Sequence, residues 1–234
     1  MFTQRPLGVH LSAASAFCDS GVPRLRTYVY VDGFNLYYRA LRKTPYKWLN
    51  LEKLAQSLLD SQNQIQRIRY FTAPVSGKLD PSQPIRQQRY LQALSTLDCV
   101  TIHLGNFLTK PKIRPLVHPP EGGPTHVEVW NTEEKGSDVN LATYLIHDAW
   151  QDLFDVALVL SQDTDLVEPV RIVKEEIKKP IGVVCLDGKA PGKLASMATF
   201  VRHITPSRLH QAQFPESLQF GKRGRVVARP EEWR

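Results

Sequence analysis

Thr27-Tyr28-Val29-Tyr30-Val31-Asp32-Gly33-Phe34-Asn35 is the stretch that decides how the rest of the chain is read. Its β-branched and aromatic residues favour an extended segment. The absence of polar alternation marks a strand covered on both faces, as in the interior of a parallel sheet. The run then stops at a carboxylate, a glycine and an amide. Two later acidic groups match it: Asp138 in Lys135-Gly136-Ser137-Asp138-Val139-Asn140, and Asp163 with Asp165 in Leu158-Val159-Leu160-Ser161-Gln162-Asp163-Thr164-Asp165. A parallel α/β sheet gathers such positions at the carboxyl edge of its strands, where its sites lie.

Working outward, strands are expected at 27–31, 65–72, 99–104, 154–160 and 181–186. Helices are expected at 35–41, at 51–59 behind an Asn50 cap, at 84–97, at 138–150 behind a Ser137 cap, at 166–177 and at 193–198. Alternating strands and helices imply right-handed crossovers and a mostly parallel, three-layer α/β sheet. The interval 105–125 carries prolines with Lys110, Lys112, Arg114 and His118 and has no durable periodicity. It reads as an insertion or long loop, followed by a short extended segment at 126–130. Residues 1–25 read as a flexible or partner-dependent arm. Residues 206–234 read as a basic tail with Lys222, Arg223, Arg225 and Arg229 that adds little to the core and meets phosphate electrostatically.

The chain has 234 residues, with 30 basic against 23 acidic side chains and a formal charge of +7, which favours a polyanionic partner. Cys18, Cys99 and Cys185 form no metal or disulfide pattern, which fits a reduced, cytoplasmic setting. No apolar run reaches the ~18–20 residues of a membrane span, and no basic head with a long apolar core marks a secretory leader.

Each acid alone has an ordinary use as a turn or cap residue; their joint placement on three elements is what argues for a site. Carboxylates crowded at one edge repel unless a cation neutralises them. Oxygen donors without histidine or cysteine select Mg²⁺ or Mn²⁺ over zinc. Asp32, Asp138 and Asp163 are the candidate metal ligands, with Asp165 as a fourth ligand or a base that holds water. Asn35, Lys135, Ser137, Ser161, Thr164, Arg86 and Arg89 are the candidate substrate contacts, and Arg67 and Arg69 are further candidates for a nucleic-acid backbone. No sequence-specific RNA-recognition signature accompanies them.

Four elements in order resemble the NYN domain family, which is similar to PIN-like ribonucleases. They are Asp32 and Asn35 of a DxxN start, Lys135 to Ala142 as KGxDVxLA, Ser161 to Asp165 as SxDxD, and the late strand from Ile181 to Leu186. The resemblance spans about residues 26 to 204. It implies a Rossmann-like, PIN-type fold with strand order 3-2-1-4-5 and metal-dependent hydrolysis of phosphodiester bonds in single-stranded or unpaired RNA. Four positions depart from the pattern: Gln162 for a glycine, Leu166 for an aromatic residue, and Tyr144 and Thr199 where relatives carry aspartates. Those at Gln162, Tyr144 and Thr199 favour the alternative of a noncatalytic RNA-binding or regulatory adaptor. A metal-dependent phosphatase is a third possibility, and an oxidoreductase with an unusual cofactor site ranks lower, because Asp32-Gly33-Phe34-Asn35 stands in place of the GxGxxG dinucleotide fingerprint. A second copy of the chain or another protein is left open as a partner.

Overall fold

A computed structural model describes residues 24–77, 80–188, 192–221 and 224–234. Residues 1–23 of the arm proposed at 1–25, including Cys18, and Lys222 and Arg223 lie outside the described residues, and Leu25 already belongs to the first strand. β1 (Leu25–Asp32) runs into α1 (Gly33–Leu36), which continues as a π-helical turn at Tyr37–Leu41. α2 (Leu51–Leu58), β2 (Asn63–Thr72), α3 (Gln83–Leu94) and β3 (Val100–Leu104) complete the first half. β4 (Asn106–Pro115) and β5 (His126–Lys135) precede α4 (Ser137–Trp150), β6 (Val156–Leu160), α5 (Val167–Arg171), β7 (Ile181–Cys185), α6 (Lys193–Met197) and β8 (Phe200–His203). α7 (Pro206–Gln211), β9 (Ser217–Phe220) and β10 (Arg225–Ala228) close the chain.

The central sheet is parallel throughout, in the order β3-β2-β1-β6-β7-β8. Its core keeps the expected 3-2-1 arrangement, and β8, at positions where no strand is expected from the sequence, extends the far edge. β1 is central, and its two faces show why it carries no polar alternation. Val29 and Val31 enter the core formed with α2 and α3, while Tyr28 and Tyr30 enter the opposite core under α4, α5 and α6. Asn50 caps α2 as expected, its Oδ1 accepting from the Lys53 amide at 3.0 Å.

Two expectations are corrected. The first half of the interval 105–125, expected to be an insertion or long loop, is strand: β4 and β5 form a ten-pair antiparallel hairpin from Asn106–Lys135 to Pro115–His126. β4 is mostly exposed, so no buried face imposes alternation on its sequence, and Pro111 and Pro115 are tolerated on a ribbon with an open edge. The segment from 206 onward is not a loose tail. Leu209, Phe214, Val227 and Trp233 are buried in the core beside Trp48 and Tyr90. Arg229 is committed to this packing, donating to the Pro45 carbonyl at 2.7 Å and to the Trp233 carbonyl. Cys99 and Cys185 are free thiols, and among the described residues no helix is long and apolar enough to cross a membrane.

Candidate active site

Asp32 ends β1 and caps α1, its Oδ1 accepting from the Asn35 amide at 2.9 Å. Its Oδ2 accepts from Ser161 Oγ at 3.0 Å, and that hydroxyl oxygen in turn accepts from the Asp163 amide at 3.1 Å. Ser161 is fully buried, so it links two acidic loops instead of facing the cleft. Asn35 Oδ1 accepts from the Gln162 amide at 3.0 Å, a second tie between the loops after β1 and β6. Asp163 Oδ1 accepts from the Asp165 amide at 3.0 Å and so caps the short 3₁₀ turn Thr164–Leu166. Gly33 is required by close packing: a Cβ there would stand 2.6 Å from the Tyr70 hydroxyl and 2.8 Å from the Phe71 carbonyl oxygen.

The hairpin delivers the third carboxylate. β5 ends beside Gly136, whose φ of +102° turns the chain into α4 in a conformation that disfavours other residues. Ser137 is not the cap it was expected to be. It is the first helical residue, and Glu134 Oε1 accepts its amide proton at 3.1 Å. Asp138 then projects from the first turn into a cleft of ≈ 440 Å³ that it shares with Asp32, Asp163, Glu134, Phe34 and Phe107. Phe34 and Phe107 meet edge to face at 5.4 Å, which fixes the hairpin root against α1.

The acids repel one another. Burial first, then the charges of Asp32, Asp163, Glu134 and Asp165, push the Asp138 carboxyl up to about 6. Burial also raises Asp32, with Asp163 adding to the effect and the hydrogen bonds from Asn35 and Ser161 opposing it. At the rim, Arg39 pairs with Asp187 at 3.0 Å, and Gln162 Nε2 donates to the other oxygen of Asp187 at 3.3 Å. The donor set is all carboxylate oxygen, which suits a hard divalent cation. Among the described residues, however, no three of His, Cys, Asp and Glu are gathered closely enough to enclose one. An ion that keeps several waters and takes only one or two carboxylates does not need such a cage.

Asp32, Asn35, Asp138 and Asp163 therefore face one cleft, while Asp165 and Thr164 are exposed on the adjoining turn. Lys135 points elsewhere, pairing with Glu133 at 2.8 Å. Arg89 is exposed on α3. Arg86 is held by Asp80 and Glu232 and lines a separate cavity. Arg69 is no phosphate contact: it is buried, with Nε and Nη2 donating to Asp148 at 2.6 and 2.8 Å. The four departures have structural places as well, Leu166 being buried in the core under α4, α5 and α6. Tyr144 packs over the Arg69 guanidinium at 4.4 Å, against His103 and Phe71. Thr199 bonds to Ile181 at the start of β7, the amino edge of the sheet. Gln162 Oε1 accepts from the Leu186 amide at 2.8 Å and ties β6 to β7. Glu134, Phe107, Arg39 and Asp187 are site residues that sequence reading missed; Phe107 and Glu134 sit in the hairpin, where no periodicity pointed to them.

The NYN domain model matches residues 26–204. The chain belongs to the NYN domain family. The NYN domain places it among PIN-like proteins, a generally metal-dependent group associated with ribonuclease-type function. The 6-hydroxy-3-succinoylpyridine 3-monooxygenase HspA of Pseudomonas putida is 32% identical over 239 residues, covering 89% of this chain and 75% of that protein. Among solved structures, a protein of unknown function from Vibrio parahaemolyticus is similar with a TM-score of 0.50. It is 15% identical and covers 78% of this chain and 94% of that one, a likeness of fold alone.

Proposed function

We propose that this NYN domain hydrolyses phosphodiester bonds in single-stranded or unpaired RNA, assisted by Mg²⁺ or Mn²⁺ that keeps several waters and takes one or two protein ligands from among Asp32, Asp138 and Asp163. The observation that carries this reading is the convergence of those three carboxylates, with Glu134, on one open cleft. A bound divalent cation supplies charge neutralisation at the scissile phosphate and a more acidic water. Asp32 is kept in place by Ser161 Oγ and the Asn35 amide, and Asp163 is oriented by the turn it caps. With no ion bound, burial and the neighbouring carboxylates push the Asp138 carboxyl up to about 6, a repulsion that a bound cation would relieve. Asn35 lines the cleft, Thr164 and Asp165 are exposed on the adjoining turn, and Phe34 and Phe107 form one wall.

Cleavage of a fluorescent single-stranded RNA with added Mn²⁺ tests the reading, alongside Mn²⁺ binding followed by electron paramagnetic resonance. Asp32→Asn and Asp163→Asn should each lower turnover by at least about 100-fold and weaken Mn²⁺ binding while the fold persists. Unchanged cleavage by both folded variants would refute it.

A second reading, ring hydroxylation of a hydroxylated N-heteroaromatic compound, is favoured by the similarity to the pseudomonad monooxygenase. It requires dioxygen and an external two-electron donor. Consumption of 6-hydroxy-3-succinoylpyridine with reduced nicotinamide or flavin, in the absence of RNA cleavage, would favour it over hydrolysis.

A further inference from the structure

Phe34 and Tyr38 line the acidic cleft on one side and a second, different cavity on the other. Six of the fifteen residues that line this second cavity are aromatic. Tyr70, Tyr90 and Trp233 form its buried floor, with ring centroids 6.2 Å apart for Tyr70 and Tyr90 and 6.1 Å apart for Tyr90 and Trp233. Tyr37 and Tyr38 stand edge to face at 5.3 Å, and Tyr38 is 56% exposed at the mouth. The cavity measures ≈ 80 Å³, against the ~150 Å³ of an enclosed cavity that takes benzene. The cavity therefore takes only part of a single ring, the rest of which would lie in the open mouth under Tyr38.

One polar edge is positively charged. Lys47 lines the cavity and donates to the Thr44 carbonyl at 2.7 Å, which uses one of its three ammonium protons. Among the described residues no carboxylate is paired with Lys47, whereas Arg86 beside it is held by Asp80 and Glu232. Burial, together with the nearby charges of Arg229 and Arg86, lowers the Lys47 ammonium below its ordinary value. A partly buried cation with spare donors at the edge of an aromatic slot is a recognition element for an anion attached to a flat ring. The Tyr70 phenol, raised by its burial and by Asp32, is hydrogen-bonded to the Thr72 side chain at the floor.

We propose that this cavity binds a single planar ring carrying a carboxylate or phosphate, the ring lying against Tyr70, Tyr90 and Trp233 and the anion meeting Lys47. The site is separate from the acidic cleft and works without a metal. Its ligand is either a free aromatic acid or a pyrimidine nucleotide.

The test measures dissociation constants on the full chain, without added metal, for nicotinate, its neutral analogue nicotinamide, and uridine 5′-monophosphate, by calorimetry and saturation-transfer NMR. Nicotinate should bind about tenfold more tightly than nicotinamide. Lys47→Met should abolish that difference, and Lys47→Arg should retain it. Competition of the nucleotide with nicotinate, at equal or higher affinity, assigns the site to nucleotides; failure of the nucleotide to bind assigns it to free aromatic acids. Equal affinities for nicotinate and nicotinamide in the wild type, no binding of any probe, or a preference that survives Lys47→Met would overturn the proposal. Should Lys47→Met not fold, the wild-type comparison and Lys47→Arg still decide. No turnover or metal enters the measurement, so its failure is distinct from failure of the cleft reading.

Discussion

Removing one charge from the acidic cleft should stabilise the metal-free protein, and Asp138→Asn is the substitution that shows it. The Asp138 carboxyl is raised from its ordinary 3.8 to about 6, so the folded state holds that proton more tightly than the unfolded chain. The stabilising effect of that proton is fully present below pH ~4 and is lost as pH rises through ~6. At 1.36 kcal/mol per pH unit the full difference is ~3 kcal/mol. Asp138 is only half-buried, and solvent screening reduces this to about 1–2 kcal/mol. An aspartate in the first turn of α4 also gains about 0.3–1 kcal/mol from the helix dipole, which the variant forfeits. The net expectation for Asp138→Asn is a gain of about 0.5–1 kcal/mol above pH 7 and little change at pH 4. Urea unfolding in EDTA from pH 4 to 8 measures it: the wild type should lose stability between pH 4 and 7 more steeply than the variant. Added Mn²⁺ should reverse the ranking by stabilising the wild type more. Parallel pH curves, or a variant less stable at pH 8 in EDTA, would refute the charge-repulsion account.

Ser161→Ala removes the hydroxyl that bridges Asp32 and the Asp163 amide. A loss of about 1–3 kcal/mol is expected in urea titrations, with weaker Mn²⁺ binding that Ser161→Thr partly restores. Arg69→Met strands the fully buried Asp148, whose Oδ2 then keeps only the Tyr30 hydroxyl at 2.7 Å. It should cost about 3–5 kcal/mol near neutral pH, and a change under 1 kcal/mol would remove the structural role given to that pair. Trp233→Ala should lower stability by about 3–5 kcal/mol. A melting temperature equal to the wild type would instead restore the picture of a loosely attached tail.

The sequence by itself determined the central strand, the parallel α/β class and the acidic loops. β1 must satisfy two cores at once, and only a run such as Thr27 to Val31 does so, with Val29 and Val31 to one side and Tyr28 and Tyr30 to the other. The sheet edge then gathers Asp32, Asp138 and Asp163 whatever the side-chain details are. Only the tertiary structure decided how those acids are held, and which basic residues are spoken for. Ser161 and Asn35 act across loops more than 120 residues apart, and nothing local distinguishes a hydroxyl that bridges two strands from one that faces solvent. Arg69 reads as a surface cation until Asp148 arrives from α4 to pair with it. The β4–β5 hairpin was hidden because its faces are largely uncovered, so no burial pattern was written into its residues. The C-terminal segment was misread for the opposite reason. Its few large apolar side chains, Leu209, Phe214, Val227 and Trp233, are spaced without period, and their burial depends on a surface assembled by α2 and α3 far upstream.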